Sequence, residues 1–226
     1  MIPKTIHYVW LGTSPLSPLI VKCIESWKKN LPEYEIICWN ENNLDISDPV
    51  YLKTLKEKKW AFASDIARLH VLYKYGGVYL DTDMEIVKSL DPLLKTELFI
   101  GLEDDCRIAA GIIGCMPKNK FIEDSLNAVT LSLSSGLVPI PQVISEVYKS
   151  QSPTYKFDHK IYEKHFFYPY NPFTSDIKIL FYSDINQDTY AIHHWGHSWK
   201  MTFSEKIYQK AKLFMNKYIF NHKKGH

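Results

Sequence analysis

The 226-residue chain has little glycine, only 9, and almost no arginine: of 27 basic residues, only Arg68 and Arg107 are Arg. So few glycines argue against a glycine-rich phosphate loop as the organising motif. No two of its four cysteines (Cys23, Cys38, Cys106, Cys115) have CxxC spacing, and they sit in apolar stretches. Buried reduced thiols are expected, and with them a reducing compartment. No window reaches the roughly 18 consecutive apolar residues of a membrane span, and the N-terminus lacks the apolar core and cleavage site of a signal peptide. A cytoplasmic protein is therefore expected. Charge nearly balances, 27 basic against 25 acidic residues for a net +2, which gives no electrostatic reason to invoke nucleic acid. What the chain does have is apolar and aromatic mass: 46% hydrophobic residues, with 15 Tyr, 11 Phe and 6 Trp. That is enough to bury the core of one domain and leave aromatics for stacking on ligands.

Patterning along the chain alternates strand and helix. Residues 6–11 read as a buried strand ending at Gly12, 19–30 as an amphipathic helix stopped by Pro32, and 34–39 as a second strand. A charged helix follows through residue 59. Another covers 61–75 and stops at Gly76-Gly77, where glycine would provide a left-handed cap. Residues 78–87 read as one strand, 99–102 and 108–114 as further strands, and 120–133 as a helix. From 139 to 172 the pattern weakens among prolines and aromatics, and 190–194 reads as a late strand. The alternation predicts an α/β fold with a mostly parallel sheet and flanking helices. The single domain spans 1–200, and 201–226 form a basic amphipathic C-terminal helix.

Asp81-Thr82-Asp83 is the strongest chemical signal. Residues two apart on a strand share a face, so both carboxylates would converge at the strand's C-terminal end, where open α/β sheets bind ligands. Hard anionic oxygens there suit Mg²⁺ or Mn²⁺ bridging a diphosphate; a solvated strand end would show the same three residues. Asp65 and Arg68 lie three apart on the preceding helix. They are either a helix ion pair worth a few tenths of a kcal/mol or a sugar-and-phosphate clamp built on a planar donor fork. Glu103, Asp104 and Asp105 follow a strand and could serve an acceptor hydroxyl, or belong to a solvated loop.

The runs Ala63-Ser64-Asp65-Ile66-Ala67-Arg68 and Tyr75-Gly76-Gly77-Val78-Tyr79-Leu80-Asp81-Thr82-Asp83-Met84 resemble the sugar-binding D-x-D region of glycosyltransferase family 32. That family includes capsular-polysaccharide transferases, and the clostridial glucosylating toxins are distant relatives. The opening Ile2–Trp10 run and the late His193-His194-Trp195-Gly196-His197-Ser198-Trp199 resemble family landmarks too, so the likeness covers roughly residues 1 to 200. It implies a GT-A fold and retaining transfer from a nucleotide-sugar. A UDP-sugar is favoured over a GDP-sugar, and the acceptor is a glycan or a lipid-linked saccharide. On the matching positions, Trp10 would stack on the base, and Asp65 and Arg68 would hold sugar and phosphates. Tyr79 would approach the diphosphate, Asp81 would contact ribose or metal, and Asp83 would bind metal directly. From the late motif, His194 is the preferred third ligand and His193 the alternative, with Ser198 and Trp199 on the diphosphate. Glu103 and Asp104 fall on the acceptor side.

The chain departs from the family's pattern at Ala109-Ala110-Gly111, at Val138-Pro139-Ile140-Pro141 and at His197, where relatives usually carry Gly. From Lys200 onward the tail has seven Lys and one Glu. It reads either as a helix packed on the domain or as a peripheral contact with an anionic inner membrane face. An aspartate-nucleophile phosphatase would need Thr or Val where Glu85 stands. A carbohydrate-binding module would have no use for Asp65, Arg68, Asp81 and Asp83 together. A protein-modifying effector transferase is the rival within the class.

Overall fold

A computed structural model describes residues 1–136 and 138–196. Ser198, Trp199, His197 and the basic segment 201–226 lie outside the described residues. The elements β1 (Thr5–Val9), α1 (Pro18–Asn30), β2 (Glu35–Trp39), α2 (Pro49–Lys56) and α3 (Trp60–Tyr75) follow the predicted order closely. β1 pairs in parallel with β2 and with β3 (Gly77–Leu80). β5 (Leu98–Leu102), β6 (Ile108–Cys115) and β7 (His159–Tyr162) extend the sheet in the order β2-β1-β3-β6-β5-β7. Only β6 runs against the rest, antiparallel to β3 and to β5, while β5 and β7 are parallel. The result is the expected mixed, mostly parallel sheet with helices packed on it. Ile6, Val78, Leu80, Phe99 and Ile112 are fully buried at its centre.

α3 lies deep in the structure. Nine of its residues from Ala63 to Leu72 are buried, Asp65 and Arg68 among them. It ends where Gly76 donates its N–H to the Leu72 carbonyl at 2.8 Å. Gly76 takes φ 65° and ψ −151°, an extended mirror conformation open to glycine, rather than the left-handed cap the sequence suggested. At Gly77, φ 86°, a Cβ would stand 2.7 Å from the Thr5 carbonyl. The two glycines let the chain turn out of α3 and dive between β1 and β6.

The predicted strand over 78–87 is two strands. β3 stops at Leu80, and β4 (Met84–Ile86) pairs antiparallel with β8 (Ala191–His193) in a separate two-stranded sheet. α1 holds β4 in place: Trp27 Nε1 donates to the Met84 carbonyl (2.6 Å), the Ile86 N–H to Ser26 Oγ (2.9 Å), and Asn30 Nδ2 to the Ile86 carbonyl (2.7 Å). Between β3 and β4 the chain makes a turn, closed by Met84 N–H to the Asp81 carbonyl at 3.0 Å. The weakly patterned region contains α5 (Ile140–Gln151) and β7, neither expected from sequence. α5 follows α4 (Lys120–Ser135), which Asn119 caps through Oδ1. No helix among the described residues is long and apolar enough to cross a membrane.

Candidate active site

The Asp81-Thr82-Asp83 turn sits at the carboxyl end of β3, where the backbone leaves the sheet. Its two carboxylates converge because of this turn, not because of the alternation of a continuous strand. The β8 register sets His193 opposite Met84 and hence beside Asp83. One oxygen or nitrogen each from Asp81, Asp83 and His193 lies within 4.8 Å of the others. Asp83 Oδ1 faces His193 Nε2 at 3.1 Å, and Oδ2 accepts the Gly196 N–H at 2.7 Å. Burial pushes the Asp83 carboxyl up, but the His193 charge and these hydrogen bonds outweigh it and hold the group at about 2. Burial pulls the His193 imidazole down, and Asp83, Asp81 and Glu103 more than reverse this, so its pKa lies above the ordinary 6.5. Its Nδ1 is buried without a hydrogen-bond partner among the described residues. Trp195, at φ 53°, lies against the His193 ring with centroids 4.1 Å apart.

Of the two histidines, the structure brings His193 to the carboxylates and turns away His194, the one the sequence preferred. His194 Nε2 meets Glu85 Oε2 at 2.7 Å. Adjacent strand residues face opposite ways, and the pairing with β4 decides which faces in. Two carboxylates and an imidazole suit a hard or borderline divalent cation such as Mn²⁺ or Mg²⁺. Gly111 keeps the space beside them clear: a Cβ there would lie 3.1 Å from Asp81 Oδ2 and 3.0 Å from the Tyr168 hydroxyl.

Behind this cluster stands a second, buried layer. Arg68 pairs with Asp65 through Nη2 (2.9 Å) and with Asp81 Oδ1 through Nη1 (3.1 Å), and it donates to the Ala110 carbonyl at 3.0 Å. Its guanidinium lies over the Tyr79 ring at 4.7 Å, and the Tyr79 hydroxyl donates to Asp81 Oδ1 at 3.1 Å. Burial pulls the Arg68 pKa down, but Asp81, Tyr79 and Asp65 more than reverse this and drive it above its ordinary value. Burial also lifts the Asp65 carboxyl to about 7, with Arg68 opposing and Asp81 reinforcing. The Asp65–Arg68 pair is thus no solvated helix bridge. It orients one of the two D-x-D carboxylates from beneath.

The other sequence candidates are spread around this centre. Trp10 follows β1, half-buried, with its N–H on the Trp39 carbonyl (2.9 Å) and its Nε1 on the Ser14 carbonyl (2.9 Å). Glu103 ends up buried after β5, 3.1 Å from Arg107 Nη1, and burial raises its pKa against the pull of Arg107. Asp104 is occupied by its own loop, accepting the N–H groups of Cys106 (3.0 Å) and Arg107 (2.8 Å). Tyr168 escaped the sequence reading: its hydroxyl accepts the Ile112 N–H at 3.1 Å, and its ring stands edge-on to His193 at 5.7 Å. No local pattern marks it, since it lies in the proline- and aromatic-rich stretch. Gly196 was visible as part of the late motif, but its hydrogen bond to Asp83 was not.

Residues 17–100 match the family described as "Glycosyltransferase sugar-binding region containing DXD motif". "Inositol phosphoceramide mannosyltransferase 2" of Schizosaccharomyces pombe is 26% identical over 88% of this chain and 58% of its own length. The chain spans between a third and three-fifths of the length of three curated relatives it matches, this one among them. Among solved structures, "PaToxG Glycosyltransferase" superposes with a TM-score of 0.56 at 22% identity, covering 67% of this chain and 70% of that one. The galactosyltransferase LgtC does so with 0.52 at 14% identity, covering 85% and 87%; at such identities these two likenesses speak for the fold. The family match thus covers residues 17–100, with the DXD motif inside it, and the fold of the chain is that of the GT-A glycosyltransferases.

Proposed function

We propose that the chain is a metal-dependent, retaining glycosyltransferase. It moves a sugar from a nucleotide-sugar, a UDP-sugar in preference to a GDP-sugar, to a glycan or lipid-linked acceptor in surface-polysaccharide synthesis. The observation that carries this reading is the convergence of Asp81, Asp83 and His193 at the end of β3. These three residues would hold Mn²⁺ or Mg²⁺, which when bound neutralises the charge of a departing nucleoside diphosphate. Arg68 and Tyr79 fix Asp81 in place, and the Gly196 N–H fixes Asp83, so the carboxylates need no reorganisation when charge develops nearby. Trp10 would stack on the base at the end of β1. Asp65 and Arg68 would face the donor sugar, Ser198 and Trp199 would close on the diphosphate, and Glu103 would address the acceptor hydroxyl. No residue is assigned as a nucleophile; transfer on the front face, assisted by the leaving phosphate, fits the family. The relatives' names, mannosyltransferases of inositol phosphoceramide, support a sugar-to-lipid or sugar-to-glycan reaction. Four unpaired cysteines fit a cytoplasmic site of action, with 201–226 as the membrane-facing segment.

The test is calorimetric titration with UDP and GDP, each with and without Mn²⁺, on the wild type and on Asp83→Asn. One nucleotide should bind, only with the metal, and Asp83→Asn should abolish that binding while remaining folded. Metal-dependent binding that survives Asp83→Asn, or no binding of either nucleotide by folded protein, would refute the proposal.

A further inference from the structure

A metal-binding imidazole is usually oriented by a hydrogen bond from its other ring nitrogen to a carboxylate, a carbonyl or water. His193 departs from that arrangement. Its Nε2 faces Asp83, while Nδ1 is buried and makes no hydrogen bond among the described residues. What holds the ring is aromatic packing. Trp195 lies against it with centroids 4.1 Å apart and planes tilted by 48°, and Tyr168 meets it edge-on at 5.7 Å. Trp195 is itself anchored. Its Nε1 donates to the Tyr170 carbonyl at 2.8 Å, and the Phe173 ring stands edge-on to it at 5.5 Å. The indole cannot swing away from His193 without giving up both contacts.

The backbone of Trp195 is a second, separate observation. Its φ of 53° lies in the left-handed region, uncommon for a bulky residue, and such strain persists only where the surroundings enforce it. The turn it makes wraps the chain around Asp83. Before it, the His194 N–H donates to the Asp83 carbonyl at 3.1 Å; after it, the Gly196 N–H reaches Asp83 Oδ2 at 2.7 Å. We infer that Trp195 is a positioning residue of the metal cluster. Its indole sets the His193 ring toward the two carboxylates, and its left-handed backbone delivers the Gly196 N–H to Asp83. It acts through these neighbours and binds no ligand itself. This rests on the metal-dependent reading above.

The test separates ring from backbone. Asparagine enters the left-handed region readily, so Trp195→Asn keeps the turn and removes the indole, whereas Trp195→Phe keeps a ring and loses the Nε1 donor. The full chain is titrated calorimetrically with Mn²⁺ alone, and urea denaturation shows that each variant is folded. Trp195→Gly makes the same separation should the asparagine variant not fold. Trp195→Asn should bind Mn²⁺ about 10- to 100-fold more weakly than the wild type, the usual cost of losing the support behind a metal ligand. Trp195→Phe should recover most of that loss. General loosening would also lower affinity, so the ligand set is read directly. Pulsed electron paramagnetic resonance, with protein in excess of Mn²⁺, reports a nitrogen bound to the ion. The wild type and Trp195→Phe should show the imidazole nitrogen; His193→Gln should lose it, and Trp195→Asn should lose most of it. Wild-type affinity or an intact nitrogen signal in Trp195→Asn overturns the inference, as does a Trp195→Phe variant no better than Trp195→Asn. Folded wild type that binds no Mn²⁺, or a nitrogen signal that survives His193→Gln, sinks the metal reading and this inference with it. Mn²⁺ held through His193 whatever stands at position 195 leaves that reading intact and removes this inference alone.

Discussion

His7 should make this fold acid-sensitive by an amount that can be worked from its surroundings. It lies in the middle of β1, 1% exposed, with both ring nitrogens engaged. Nε2 is 2.9 Å from the Gly76 carbonyl, which can only accept, and Nδ1 is 3.0 Å from Trp39 Nε1, which can only donate. The neutral Nε2–H tautomer is therefore fixed, and a second proton would set Nδ1–H against Trp39 Nε1–H. Burial lowers the pKa from 6.5 to about 4, with the Gly76 hydrogen bond opposing. Because the folded value is depressed, the unfolded chain binds the proton first. The stabilisation is whole above pH 6.5 and is lost as pH falls toward 4. At about 1.4 kcal/mol per pH unit, the gap between 6.5 and about 4 corresponds to about 3 kcal/mol. The perturbation is His7→Gln, which removes the titration but leaves a side chain able to accept and donate; imperfect replacement should cost about 1–3 kcal/mol at pH 7. Urea denaturation from pH 7 to pH 4 should show the wild type losing stability more steeply than His7→Gln, with the two curves converging toward pH 4. Parallel curves across that window would refute the reasoning.

Arg68→Lys should destabilise the chain by about 1–3 kcal/mol, because one ammonium cannot span Asp65, Asp81 and the Ala110 carbonyl as the guanidinium does. Arg68→Ala should cost more, about 3–5 kcal/mol, since it strands the buried Asp65 carboxyl and takes from the partly exposed Asp81 its cationic partner; denaturation midpoints of the two variants decide. Gly111→Ala places a methyl 3.0 Å from the Tyr168 hydroxyl and 3.1 Å from Asp81 Oδ2. It should lower stability by about 1–3 kcal/mol and weaken Mn²⁺ binding, read by denaturation and by calorimetry. Because the pKa of His193 is raised above 6.5, a cation taking its nitrogen competes with a proton. Mn²⁺ titrations in buffers of different ionisation enthalpy should therefore report proton release that shrinks as pH rises, and identical heats in all buffers would contradict this.

What could be read from sequence was what neighbouring residues decide among themselves. α1 begins at Pro18 with Ser17 as its cap, and α3 stops at Gly76; both signals lie within a few residues of the boundary they set. α5 was hidden because Pro139 and Pro141 read as loop, although proline is at home in a first helical turn. The break at Asp81-Thr82-Asp83 could not be seen locally, since a single strand with one polar face would also place Asp81, Asp83 and Glu85 between Val78-Tyr79-Leu80 and Ile86-Val87. It is imposed from far along the chain: the Asp81 N–H bonds to the Gly111 carbonyl at 2.7 Å, and Ser26, Trp27 and Asn30 draw β4 onto α1. The choice of His193 over His194 likewise comes from pairing across more than a hundred residues. The same long-range contacts explain why two carboxylates can sit so close together at the mouth of the sheet. Asp81 is held from below by Arg68 and Tyr79 and Asp83 from the side by His193 and the Gly196 N–H, while His193 also feels the Asp81 charge. A cation bound between them would have to displace only the His193 proton, while the Arg68 layer beneath stays as it is.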